Sequence, residues 1–218
     1  MAGSSHLFCT THKRHFHLTM YTQMSMHSND SHIAGGGLPS VWLEQVASSV
    51  VALLEESHYR VRSGKNKAAQ LFDTPTIAAM SIEDYVMRIG EYCNATAGAY
   101  TMALLYLRRF CSVTSAPLTE RNVHRLFAVC LLVGFKFVDD DTCTNEFFAH
   151  VAGMSVKELN QLEKQFMLVL DWHVTATEME FKKNLHFIEA QGTEEGEDLC
   201  FSDAPTDVGS SDDFEESS

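Results

Sequence analysis

The sequence predicts an all-α protein, on three observations. Apolar residues recur at i, i+3, i+4 and i+7 in successive windows, the stripe of an amphipathic helix. Several windows open with Ser or Thr followed three residues later by an acid, the pattern that satisfies the free N–H groups of a helix start. No segment alternates apolar and polar residues as a half-buried strand would.

Residues 1–38 are rich in Ser, Thr, His and Gly, end in Gly35-Gly36-Gly37, and read as a flexible arm. The arm carries His6, Cys9, His12, His15 and His17, soft ligands of the kind that hold zinc. Structural zinc sites use two separated ligand pairs around a folded knuckle. This run has no such frame, so no metal is expected. Residues 39–71 form an N-terminal helix and a connection. Ser40 is placed to cap a helix to about 57, with Leu43, Val46, Val50 and Leu53 on one face. The basic stretch Arg60, Arg62, Lys65 and Lys67 follows as a solvated link.

Residues 72–191 hold the main body. Ser81 precedes the stripe Ile82, Tyr85, Val86, Ile89 and Cys93, with Asp84 completing a capping-box-like pair. A mostly apolar helix spans about 97–111, and Pro117 breaks it. From 123 to 137 nearly every residue is apolar, which predicts a helix surrounded by others. A short helix over 145–152 ends at Gly153, suited to a left-handed C-cap. Ser155 with Glu158 predicts a capping box opening a helix whose Leu159, Leu162, Phe166, Val169 and Leu170 point inward. Thr177 with Glu180 repeats the signature for a last helix to about 190.

Charge is unevenly spread. Residues 193–218 contain ten acids and no Lys or Arg, which leaves −3 of the formal −13 for residues 1–192. The segment 192–218 therefore reads as a disordered acidic tail, in which Ser210 and Ser211 are candidate acid-directed phosphorylation sites. A near-neutral body with an acidic tail lacks the cationic surface that nucleic acid binding needs. The longest apolar run is ten residues, 126–135, half of what a membrane span requires. The N-terminus lacks the apolar core of a signal peptide. The six cysteines have no paired short spacing, and Cys93 and Cys130 sit among apolar residues as reduced thiols do. These features predict an intracellular protein of the nucleus, the cytoplasm or both. No phosphate-binding loop or nucleophile elbow is present. No Cys has a recognisable activating partner, so neither catalysis, a cofactor nor a small-molecule ligand is expected.

The segments YLRRFCS (106–112), FKFVDD (135–140) and FFAHVAGMSVKELNQLEKQFMLVLDW (147–172) resemble the cyclin box. Within roughly 72–188, TPTIAAMSIEDYVMRI (74–89), NVHRLF (122–127) and HVAGMSVKELNQLE (150–163) are most similar to the phosphate-signalling, P-type or U-type, branch. The resemblance implies a five-helix cyclin box around an apolar third helix, here with an additional N-terminal helix and a C-terminal helix. It implies a regulatory subunit that binds a cyclin-dependent protein kinase as a heterodimer and holds the kinase αC helix in its active position. The alternative is a cyclin-fold scaffold in a transcription-factor assembly, without kinase activation; such scaffolds usually carry two boxes and basic surfaces.

Carried over residue by residue, the resemblance places the two polar kinase contacts on Lys136 and Glu163. Phe137, Phe166 and Met167 are candidates for the apolar part of the docking surface, although helix periodicity also allows them as core. Asp139, Asp140 and Asp141 follow the third helix at its C-terminal end, where the dipole disfavours acids. They contact a basic kinase loop or face water. His124 and His150 read as helix residues near the packing surface. Thr74-Pro75 is a minimal proline-directed site or, as the resemblance favours, a structural turn. Many cyclins carry Asp where this chain has Arg108, paired with an Arg early in the first helix. The aligned residue here is Ala79, so both halves of that pair are missing.

Overall fold

The computed structural model describes residues 38–59 and 66–192. The arm with its His/Cys run, the basic residues Arg60, Arg62 and Lys65, and the acidic tail with Ser210 and Ser211 lie outside the described residues. Among the described residues all regular structure is helical: α1 (Ser40–Tyr59), α2 (Lys67–Gln70), α3 (Ile82–Tyr92), α4 (Ala97–Thr114), α5 (Val123–Val138), α6 (Asn145–Val151), α7 (Val156–Val169) and α8 (Glu178–Ala190). None of these helices is long and apolar enough to cross a membrane.

The centre is the pair α4 and α5. Eleven of the sixteen residues of α5 are buried, as its near-continuous apolar sequence requires. The pair runs antiparallel, Gly98 at the start of α4 meeting Val138 at the end of α5. Gly134 permits the close crossing: a Cβ there would lie 2.7 Å from the Ala99 carbonyl oxygen, a backbone atom that cannot yield. Around this pair α1 packs on α3 and α8, and α7 on α5, α4 and α6. Trp42 of α1 meets Tyr100 of α4 edge-on at 5.8 Å.

Capping follows the sequence with informative departures. Thr177 and Glu180 form a reciprocal box at the start of α8. Ser155 accepts from the Glu158 N–H at 3.2 Å, but the Glu158 carboxylate turns to Arg125 of α5, so this box is half made. Ser81 likewise caps α3 through the Asp84 N–H at 3.0 Å, with only its own half of the pair formed. Pro39, not Ser40, supplies the carbonyl that receives the first N–H groups of α1. Gly153 takes φ +70°, the left-handed end anticipated after α6. The basic connection was not wholly irregular: Lys67 lies in α2, a single turn capped by Asn66. Four residues carry no periodicity for a sequence pattern to reveal.

Thr74 immediately precedes a bend at Pro75 and Thr76; its N–H donates to the Arg121 carbonyl at 2.8 Å, and its hydroxyl lies 2.5 Å from the Thr76 carbonyl oxygen and 2.8 Å from that of Arg121. Ala79 is exposed in the bend ahead of α3 and not within that helix. Arg108 is half-buried, and its guanidinium carbon lies 4.3 Å from the centroid of the Phe187 ring on α8. Its charge is thus met by an aromatic face on the C-terminal helix, an attraction of about 0.5–2 kcal/mol.

The link from α7 to α8 is strapped onto α4. Arg109 donates to the carbonyls of His173 at 2.8 Å and Thr175 at 3.0 Å. The Tyr106 hydroxyl donates to the Val174 carbonyl at 2.6 Å. Arg109 also pairs with Glu180 at 3.1 Å. Partial burial raises the Glu180 pKa, but the Thr177 N–H and hydroxyl and the Arg109 guanidinium outweigh it and hold the carboxyl below its ordinary 4.5. A depressed folded-state pKa gives stability that is present above the unfolded value and lost as pH falls through the folded one. Melting curves from pH 7 to pH 3 should therefore show Glu180→Gln flattening the acid-side loss relative to wild type. Parallel curves would remove Glu180 from the acid response.

Candidate docking site

Lys136 lies in the last turn of α5 and Glu163 midway along α7, 27 positions apart in sequence. The packing of α7 on α5 brings them into direct contact: the Lys136 ammonium donates to Glu163 Oε1 at 2.6 Å. Asn145, the first residue of α6, donates to Glu163 Oε2 at 3.1 Å and to Asn160 Oδ1 at 2.7 Å. Three helices therefore converge on one carboxylate. The side chains of Lys136 and Glu163 remain 35% and 21% exposed, so the pair sits at the rim of the fold and not in its core. Charge-assisted bonds of this kind orient both groups without hiding them.

The other five sequence candidates divide. Phe137 and Met167 are partly buried, resting on the core with an edge outward. Met167 lies one helical turn beyond Glu163, on the same face of α7. Asp140 is exposed. Phe166 is a correction. It has no exposed surface and stacks on Phe110 at 5.6 Å with an interplanar angle of 8°. Its position in the stripe Leu159, Leu162, Phe166 faces the core, which leaves it nothing to present. Asp139 is a second correction: at 7% exposure it neither faces water nor offers itself to a partner. Its carboxylate accepts the Thr96 N–H at 3.0 Å and the Thr96 hydroxyl, just ahead of α4. Read along its own helix, Asp139 stands at an unfavourable C-terminus. In the fold it lies at the N-terminus of α4, where the dipole favours an acid.

Two exposed apolar groups lie outside the residues that the sequence singles out. Trp172 is 63% exposed just past α7, and its backbone N–H donates to the Met167 carbonyl at 2.9 Å. Asp171 and Trp172 take φ +48° and +60°, left-handed geometry that costs a non-glycine residue about 1–2 kcal/mol. The reversal turns the indole outward while Leu170 beside it stays buried. Phe147 of α6 is 44% exposed and lines a cleft of about 530 Å³ with Thr144, His150, Met154 and Val156. His150 is exposed there, and His124 instead packs edge-on to Tyr85, with Nε2 2.9 Å from the Met80 carbonyl oxygen.

Among the described residues no group of three or more His, Cys, Asp or Glu side chains could hold a metal ion. Burial pushes the Cys93 thiol up to about 12 and the Cys130 thiol well above 9.0, the opposite of what an activated nucleophile needs.

A family model described as Cyclin matches residues 37–174. The chain is similar to Cyclin-U4-3 of Arabidopsis thaliana, 31% identical over 155 residues that cover 68% of this chain and 71% of that protein. It is 33% identical to Cyclin-U2-2 of the same organism over 121 residues, 54% of this chain and 53% of the relative. Cyclin-P2-1 of Oryza sativa subsp. japonica is 28% identical over 156 residues, 67% of this chain and 71% of its own length.

Proposed function

The chain belongs to the cyclin family, similar to its P- and U-type members, and on that premise we propose that it binds a cyclin-dependent protein kinase and activates it through the face carrying Lys136 and Glu163. The observation that supports this reading is the ion pair itself. A lysine and a glutamate from two helices, steadied by Asn145 from a third, stand at the rim near partly buried Phe137 and Met167, and exposed Trp172 is bonded through its backbone to the Met167 carbonyl.

Such a face suits the start of a helix in a partner. The ammonium donates to carbonyl oxygens, and the carboxylate accepts backbone N–H groups. Glu163 already accepts from Lys136 and Asn145, and a carboxylate has room for about two further donors. The apolar groups fill the gaps between helices and exclude water from the charged contacts. A kinase whose αC helix is held inward forms the Lys–Glu pair that phosphoryl transfer requires. Activation then follows from tighter binding to the active conformation, a shift of population without chemistry on the chain.

The purified 218-residue chain should form a stable complex with at least one of a panel of purified cyclin-dependent kinase subunits. That subunit's peptide-phosphorylating rate should rise. Failure of every subunit to bind, or binding with no rise in rate, would count against the proposal.

A further inference from the structure

We propose that Arg109 is a positioning residue for this docking face, acting through Trp172; the inference rests on the kinase-docking reading above. The link between α7 and α8 begins with two consecutive left-handed residues, Asp171 and Trp172. Such geometry persists in non-glycine residues only where the surroundings over-determine it. What determines it is a row of donors on one face of α4. The carbonyls of His173, Val174 and Thr175, immediately after Trp172, are taken in turn by Arg109, Tyr106 and Arg109 again. The same guanidinium reaches Glu180 at 3.1 Å, and Glu180 closes on the Thr177 N–H at 2.8 Å and hydroxyl at 2.9 Å.

The strap is therefore fixed at three consecutive residues and anchored again at the first turn of α8. On its other side, Trp172 is held to α7 through the Met167 carbonyl. A planar fork with several donors can hold two carbonyls and a carboxylate at once, which an ammonium cannot do with the same geometry. The result is an exposed indole on a rigid mount. An aromatic side chain held in place before binding loses little conformational freedom when a partner covers it. Arg109 itself need touch no partner.

Hydrogen exchange on the 218-residue chain tests the mount without any partner. Arg109→Ala should speed exchange of the Trp172, His173 and Val174 amides more than exchange in α1 or α3, with Arg109→Lys intermediate. Unchanged exchange in the strap would overturn the proposal. The second arm measures affinity for the tightest-binding kinase subunit of the panel. Trp172→Ala should weaken it about thirtyfold or more, as loss of an aromatic anchor does. Arg109→Ala should weaken it roughly three- to thirtyfold, and in the Trp172→Ala background it should add almost nothing. An equal loss in both backgrounds would mean that Arg109 acts elsewhere, with the docking reading intact. No loss from Trp172→Ala, while Lys136→Ala and Glu163→Ala do weaken binding, would likewise reject the inference and keep the docking face. If those two variants also bind as wild type, the docking reading fails with it.

Discussion

Replacing Glu163 by Ala, or Lys136 by Ala, is expected to weaken kinase association by ~2–5 kcal/mol, roughly 30- to several thousandfold in Kd. The size comes from what the partner leaves behind. In the complex both groups are covered, and removing one strands the other, with the kinase groups it met, away from water. In the free chain the same change is minor. The pair is 35% and 21% exposed, and rim ion pairs of this kind contribute about 0–1 kcal/mol. The two variants should thus melt close to wild type while losing affinity, a combination that calorimetric titration and thermal melts can read on one preparation. Wild-type affinity in both variants would place the docking face elsewhere.

Phe166→Ala should do the reverse. Its ring is fully buried, stacked on Phe110 and 6.2 Å from Tyr106 edge-on, and truncation removes both contacts and leaves a cavity. The expected cost is about 3–5 kcal/mol, on the order of 10 °C in Tm for a chain of this size. Any loss of kinase binding should scale with the unfolded fraction and disappear at temperatures where the variant is folded. A Phe166→Ala chain that melts normally and still fails to bind would return Phe166 to the surface.

The contrast shows where sequence reasoning carries and where it stops. Local signals are sufficient for every helix but the single turn α2: the apolar stripe from Ile82 to Ile89, the Thr177–Glu180 box and the glycine stop at 153 all depend on neighbours within one or two turns. The resemblance located Lys136 and Glu163, but nothing in the sequence said that they touch each other, or that Asn145 steadies Glu163. Those contacts exist only once α5, α6 and α7 have packed. The role of Asp139 is illegible in the sequence for the same reason, because its relevant helix terminus belongs to α4, 43 residues back at Thr96. Trp172 escaped notice because period and hydropathy both assign an indole beside Leu170 to the interior, and only the two left-handed residues turn it out.

The stacking of Arg108 on Phe187 bears on a different matter, whether this box can be moved as a unit. Where an internal ion pair would satisfy such a position from within the box, here an aromatic ring that meets the guanidinium lies on α8, beyond residue 174 where the match to the family model ends. The box and its trailing helix are thereby matched to one another. A chimera that grafts these residues onto another C-terminal helix keeps that aromatic cover only where an aromatic ring stands at the position of Phe187. A cut placed after α8 keeps Arg108 and Phe187 together, and such a chimera should melt higher than one cut between α7 and α8 that loses the ring.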